Sequence, residues 1–119
     1  MSNPQRGEIW FTKLPTDPPE KGKRPVVIVS VSARNNHPRA STVLVVPLST
    51  SVHRDEIPTH LVVEPGQTGL RERVVAKAED VSVVSKAELD APRERLRTLS
   101  SSQICDLARK VELAMGCSP

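Results

Sequence analysis

The stretch Lys23-Arg24-Pro25-Val26-Val27-Ile28-Val29-Ser30 decides the fold. From Arg24 to Val31 the chain is β-branched and nearly continuous. That is the composition of a strand buried on both faces, not of an alternating, half-solvated one. Thr42 to Leu48, around Val43-Leu44-Val45-Val46, reads the same way. Towards the N-terminus, Gly7 to Leu14 interleaves Ile9 and Phe11 with polar residues, a further strand. Towards the C-terminus, Ile57 to Val63 is a short strand and Val74 to Val84 another, broken in its middle. Turn signals lie between them at Asn35-Asn36-His37-Pro38 and Glu64-Pro65-Gly66-Gln67-Thr68-Gly69. Pro15-Thr16-Asp17-Pro18-Pro19-Glu20-Lys21-Gly22 is a loop, because its prolines remove backbone donors and its glycine permits a turn. Beside a strand, such a loop is placed to act as a lid or a ligand contact.

Helix signals come late. Ser85-Lys86-Ala87-Glu88 has the form of a capping box, and Pro92 keeps that helix short. Ser100-Ser101-Ser102-Gln103 repeats the form ahead of a better helix. There Ile104, Leu107, Ala108, Val111, Ala114 and Met115 recur at helical spacing as one apolar stripe, and Gly116 is the stop. The expected class is mainly β with α: a small, strongly bent barrel-like sheet with a C-terminal packing helix.

The 119 residues fit one domain, 1–119. No apolar run approaches the roughly 20 residues of a membrane span. Met1 to Arg6 carries no apolar segment, so no secretory signal is expected and the chain reads as cytoplasmic. Cys105 and Cys117 are then reduced thiols, too few for a metal site. His37, His53 and His60 lack metal-ligand spacing, and no phosphate-cradling glycine loop or Gly-x-Ser-x-Gly motif is present. No metal and no cofactor are expected.

Charge is uneven. Lys21, Lys23, Arg24, Arg34, Arg39 and Arg54 fall in a stretch without Asp or Glu, while the remainder of the chain is net acidic. Such a block favours a polyanion, since each cation set against a phosphate releases a counterion. The aromatic residues are Trp10 and Phe11 alone, which argues against an RNA reader that stacks bases on several rings.

Taken in order, these segments resemble the MazF/PemK toxins of bacterial toxin–antitoxin pairs. Arg6-Gly7-Glu8-Ile9-Trp10 resembles the family's opening strand, and Lys23 to Ser30 its Arg-Pro strand. Val46-Pro47-Leu48-Ser49-Thr50 resembles the strand end that carries a hydroxyl residue. Pro58-Thr59-His60, Gly69-Leu70 and Ala76-Lys77-Ala78-Glu79-Asp80-Val81 follow in the family's order, so the likeness spans about residues 6 to 116. The resemblance implies an SH3-like barrel related to that of the gyrase poison CcdB. It implies a homodimeric, metal-independent endoribonuclease that cuts single-stranded RNA at short sequences, and a cognate MazE-like antitoxin with an acidic, flexible tail.

The resemblance also assigns residues. RNA cleavage by attack of a 2′-hydroxyl on the adjacent phosphate needs that proton removed, the leaving 5′-oxygen protonated and the phosphorane charge stabilised. The product is a 2′,3′-cyclic phosphate. Arg24 matches the catalytic arginine. A guanidinium suits a phosphate and stays charged, so charge stabilisation is its expected role. Ser49 stands where the family carries threonine, and Thr50, next to it, is the alternative hydroxyl. Glu20 resembles the acidic residue of the first loop, with the gap to Arg24 one residue shorter than in several relatives. His60 and Lys23 are RNA contacts. Lys77 and Glu79, two apart on a strand and hence on one face, match a basic and acidic pair. Glu79 is an accessory catalytic candidate, and Lys77 a further RNA contact. Specificity is expected in loops 15–23 and roughly 50–57. Two other readings stay open: a CcdB-like gyrase poison, disfavoured because the chain ends Met115-Gly116-Cys117-Ser118-Pro119 without a tryptophan tail, and a basic barrel that binds RNA or protein without cutting.

Overall fold

A computed structural model of the chain describes residues 3–51, 57–92 and 96–116. His53, Arg54, Cys117 and most of the 50–57 loop lie outside the described residues. The two apolar runs form adjacent antiparallel strands, β2 (Arg24–Ile28) and β3 (Thr42–Ser49), paired Val26↔Pro47, Val27↔Val46 and Ile28↔Val45. Both faces of this pair are covered, as the unbroken β-branched run requires. Val26, Ile28, Val43 and Val45 pack into a core with Leu14, Val84 and Leu89. Val27, Val46 and Leu48 pack on the opposite face with Ile9, Val63, Ile104 and Leu107.

The other strands are β1 (Ile9–Thr12), β4 (His60–Val63), β5 (Val74–Lys77) and β6 (Ser82–Ser85). All pairings are antiparallel, in the order β1-β2-β3-β5-β4, with β6 also on β3. Strand β3 therefore has two partners along one edge. Its first half pairs with β6 through Val45↔Ser82, and its end pairs with β5 through Leu48↔Ala76. Between those pairs β3 advances three residues while the partner advances six. The surplus three are Ala78–Asp80, thrown out of the ladder as a 3₁₀ turn. This is the break expected within Val74 to Val84.

The expected barrel is not closed. Strands β1 and β4 end the sheet, and among the described residues β1 is joined to the chain beyond β6 by the isolated bridge Phe11↔Asp90. The reason is local: a 3₁₀ turn at Lys86–Glu88 stops β6 before it can ladder with β1. The same turn replaces the short helix expected there. Ser85 caps it, accepting from the Ala87 N–H at 3.3 Å. Two further four-residue helices, α1 (Ser32–Asn35) and α2 (Pro65–Thr68), stand at the turn signals. Behind α1, the buried Asn35 donates to the Ser30 carbonyl at 2.8 Å, and the Ser30 hydroxyl accepts from the Leu44 N–H at 3.1 Å. That network ties the β2–β3 connection to β3.

Helix α3 (Ser101–Met115) starts as its sequence dictates. The Ser100 hydroxyl accepts from the Gln103 N–H at 3.2 Å, and the Gln103 amide oxygen accepts from the Ser100 N–H at 3.0 Å. Gly116 ends it at φ +70°. Ile104 and Leu107 enter the core, and burying each such side chain stabilises the fold by about 1.5–3 kcal/mol. The helix packs over β4 and the Ala78–Asp80 turn. The expected stripe is covered only as far as Val111; Met115 is 77% exposed, beside Leu113 at 58%. Gly7 fixes the other end of this layer. It holds φ +91°, donates to the Ile28 carbonyl at 2.8 Å and accepts from the Leu99 N–H at 3.0 Å. A Cβ there would stand 3.0 Å from the Leu99 carbonyl oxygen.

Candidate active site

Arg24 opens β2 and Ser49 closes β3. Carried two steps beyond Val26↔Pro47, the register sets Arg24 opposite Ser49. Directly opposed Cα atoms on antiparallel strands are about 4.5–5.5 Å apart. The guanidinium also touches this strand end, its Nη2 donating to the Leu48 carbonyl at 3.4 Å. Its Nη1 donates to both carboxylate oxygens of Asp17, at 3.1 and 3.0 Å. These side chains are only 18% and 11% exposed, so Arg24 is a partly desolvated cation held between a strand end and the β1–β2 loop. The Ser49 hydroxyl accepts from the Ser51 N–H at 3.1 Å, which fixes its lone pairs and leaves its proton to donate.

Strand alternation sorts the rest. Leu48, Ala76 and Leu61 face the core beneath α3. Their neighbours Ser49, Lys77 and His60 therefore face the other way, and Arg24 shares that side with Val26 and Ile28. Lys77 pairs directly with His60. One face thus carries Arg24, Ser49, Lys77 and His60, with β5 lying between β3 and β4. Neighbouring strands are about 4.8 Å apart, which puts His60 roughly 10 Å across the sheet from the β3 column.

Lys77 and Glu79 do not share a strand face, contrary to the sequence expectation. Lys77 ends β5, and Glu79 lies in the 3₁₀ turn that the register step ejects. The turn aims Glu79 at the start of β4. One carboxylate oxygen accepts from the Thr59 hydroxyl, and the other lies 2.5 Å from His60 Nε2. Burial acts to raise the Glu79 pKa. The Thr59 hydroxyl, a backbone hydrogen bond and His60 together outweigh it and hold the carboxyl below its usual value. A carboxylate at neutral pH thereby orients an imidazole whose side chain is mostly covered.

The remaining candidates lie apart. Glu20 is exposed on the 3₁₀ turn Pro19–Lys21. Lys23 pairs with Asp90, both well exposed, so that ion pair is weak and open to exchange. Thr50 lines a hollow of about 500 Å³ with Pro25, Leu70, Arg71 and Val74. A second hollow of about 460 Å³ runs past Leu70 and Arg71 to Phe11, Lys23 and Asp90. Ser49 and Thr50 thus part company: Ser49 is opposite Arg24, and Thr50 joins this neighbouring groove. Sequence reasoning singled out neither Asp17 nor Arg71, and it quoted Thr59 without a role. The signal for Asp17 was a lone carboxylate between Pro15 and Pro18 ahead of the Arg-Pro strand. Among the described residues, no group of three or more His, Cys, Asp or Glu is arranged to hold a metal ion, and no helix is long and apolar enough to cross a membrane.

Known proteins with this architecture share more than the fold. Endoribonuclease MazF of Staphylococcus epidermidis is 27% identical over 114 residues, covering 94% of this chain and 91% of that protein. An endoribonuclease from a mycobacterial species superposes with a TM-score of 0.72 at 26% identity, covering all of this chain and 97% of that one. A mycobacterial endoribonuclease solved in complex with its cognate antitoxin gives 0.69 at 25% identity, with 98% of each chain covered. The profile of the PemK-like, MazF-like toxins of type II toxin–antitoxin systems matches residues 5–115, nearly the whole length, and the chain belongs to that family.

Proposed function

We propose that the chain is an endoribonuclease toxin that cuts single-stranded RNA at a short sequence, with Arg24 and Ser49 acting on the scissile phosphate. The observation that carries this reading is the convergence of the two on one strand-end step, with the guanidinium already anchored on the Leu48 carbonyl. Arg24 neutralises the charge that builds on the non-bridging oxygens as the 2′-oxygen adds to phosphorus. Ser49 donates a hydrogen bond to the same oxygens, and Thr50 stands by as the alternative hydroxyl from the adjoining groove. The P–O5′ bond breaks as the 2′-oxygen bond forms, the 2′-hydroxyl proton passes to solvent, the 5′-oxygen takes one from solvent and leaves as a hydroxyl, and a 2′,3′-cyclic phosphate remains. His60, held by Glu79, contacts the RNA further along the face. Lys77 and Lys23 add phosphate contacts, and Glu20 stands at the mouth of the loop.

The working unit is the single domain 1–119 in the cytoplasm, as a homodimer in which the uncovered end of α3 at Leu113 and Met115 is buried. A MazE-like antitoxin with an acidic tail occupies the RNA face, its carboxylates standing in for phosphates. The mycobacterial endoribonuclease of this architecture, solved in complex with its cognate antitoxin, supports that partnership. The test incubates purified protein with a long single-stranded RNA in EDTA and maps the new ends. Cuts at one recurrent short sequence, lost in a folded Arg24→Ala variant, are the expected result. Trapping of DNA gyrase without RNA cleavage would establish the CcdB-like reading, and RNA binding without cleavage a non-catalytic barrel.

A further inference from the structure

The loop between β1 and β2 supplies a carboxylate to the very donor that RNA needs. Asp17 presents two oxygens to Arg24 Nη1, at 3.1 and 3.0 Å, while Nη2 is on the Leu48 carbonyl. A phosphodiester also offers two non-bridging oxygens that share one negative charge. It would seek the same guanidinium. The pair is partly desolvated, at 18% and 11% exposure, so water screens it less than a surface pair. Asp17 is also held in place: its backbone N–H donates to the Leu14 carbonyl at 3.1 Å, and Pro15, Pro18 and Pro19 restrict the chain on either side. Glu20, on the same loop, points to solvent.

We infer that Asp17 is an internal competitor for the substrate phosphate, occupying Arg24 until RNA displaces it. Asp17 acts through Arg24, as a positioning residue: it orients the guanidinium along the strand end and sets the threshold that RNA binding must exceed. The inference rests on Arg24 being the phosphate-binding group. Displacement frees the Pro15–Gly22 loop from a charged anchor to the sheet, so RNA occupancy and loop position are linked.

The test measures binding of a 2′-O-methyl oligonucleotide that copies the cleavage sequence mapped for the wild type. Asp17→Asn keeps the side-chain size and removes the charge. It should tighten binding about two- to fivefold, the range for losing one partly exposed ionic competitor, and lower KM for cleavable RNA. On an Arg24→Ala background the same substitution should change nothing, because the competition runs through that guanidinium. Unchanged or weaker binding by Asp17→Asn, with Arg24→Ala clearly weakened, would overturn the competitor role and leave the Arg24 assignment standing. If Arg24→Ala binds like wild type, the phosphate assignment itself fails and this inference with it. Thermal unfolding of each variant separates loss of fold from loss of binding.

Discussion

Carried one step beyond Val26↔Pro47, the register that joins β2 to β3 sets Pro25 opposite Leu48, and Pro25 has no N–H to offer the carbonyl that faces it. Val29 donates to the Leu44 carbonyl at 2.9 Å, so the odd-numbered residues of this strand point their N–H groups at β3. At position 25 the ladder bond is missing, and the Leu48 carbonyl accepts from Arg24 Nη2 instead. The Arg-Pro order therefore has a structural meaning: the proline withholds a backbone bond so that the guanidinium before it has an anchor.

Pro25→Val should restore the backbone donor. The Leu48 carbonyl then bonds to the strand, and Arg24 loses one of its two fixed points. RNA cleavage should fall about three- to tenfold, the net value of one ordinary hydrogen bond. The melting temperature should hold or rise, because a ladder bond has been gained. A variant with wild-type cleavage would show that the anchor is irrelevant to catalysis.

Ser49 and Thr50 are separable in the same assay. If Ser49 donates to the phosphorane oxygens, Ser49→Ala should lower kcat by about a hundredfold, the usual effect of deleting one such donor. Thr50, in the adjoining hollow with Pro25 and Val74, should cost less than threefold in kcat when changed to Ala, with any larger effect in KM. The reverse ranking would move the catalytic hydroxyl one residue along the chain.

Much of this architecture is legible in the residues themselves. Val26 to Val29 and Val43 to Val46 read as doubly buried strands because no polar residue interrupts them, and the cores on both faces bear that out. The Ser100–Gln103 box and Gly116 bound α3 for the same local reason. Barrel closure was not legible, since it turns on whether β6 outlasts the 3₁₀ turn at Lys86–Glu88, a matter of one or two residues. The Lys77–Glu79 relationship failed for a related cause. Period-two reasoning holds only while a strand continues, and the register step at Ala78 ends it. Asp17 escaped because a loop carboxylate becomes informative only once the chain has folded it onto Arg24.

Gly7→Ala should destabilise the protein by about 2–4 kcal/mol without altering residual catalytic parameters of the folded fraction. A left-handed φ costs an alanine roughly 1 kcal/mol, and forcing a methyl into a packed junction adds about 1–3. Here the methyl would meet the Leu99 carbonyl at 3.0 Å and Thr98 Cγ2 at 3.1 Å, and both the Gly7–Ile28 and Leu99–Gly7 bonds lie at that point. Denaturant unfolding of the variant checks it.

The Glu79 cluster predicts an acid-side dependence whose sign follows from its depressed pKa. The unfolded chain binds this proton at the usual glutamate value, and the folded chain binds it only at lower pH. Stability from the cluster is therefore complete above the unfolded value and drains away as pH falls through the folded one. As pH falls below the ordinary glutamate value, wild type should lose more stability than Glu79→Gln, and the two curves should run parallel well above it. The same substitution removes the carboxylate that orients His60, so RNA affinity near neutral pH should drop severalfold while the Arg24–Asp17 contact persists. A wild-type acid limb that survives unchanged in Glu79→Gln would assign the titration to another carboxylate. Loss of the Arg24 contact in that variant would mean that the two clusters are coupled through β5 and do not act independently on one sheet face.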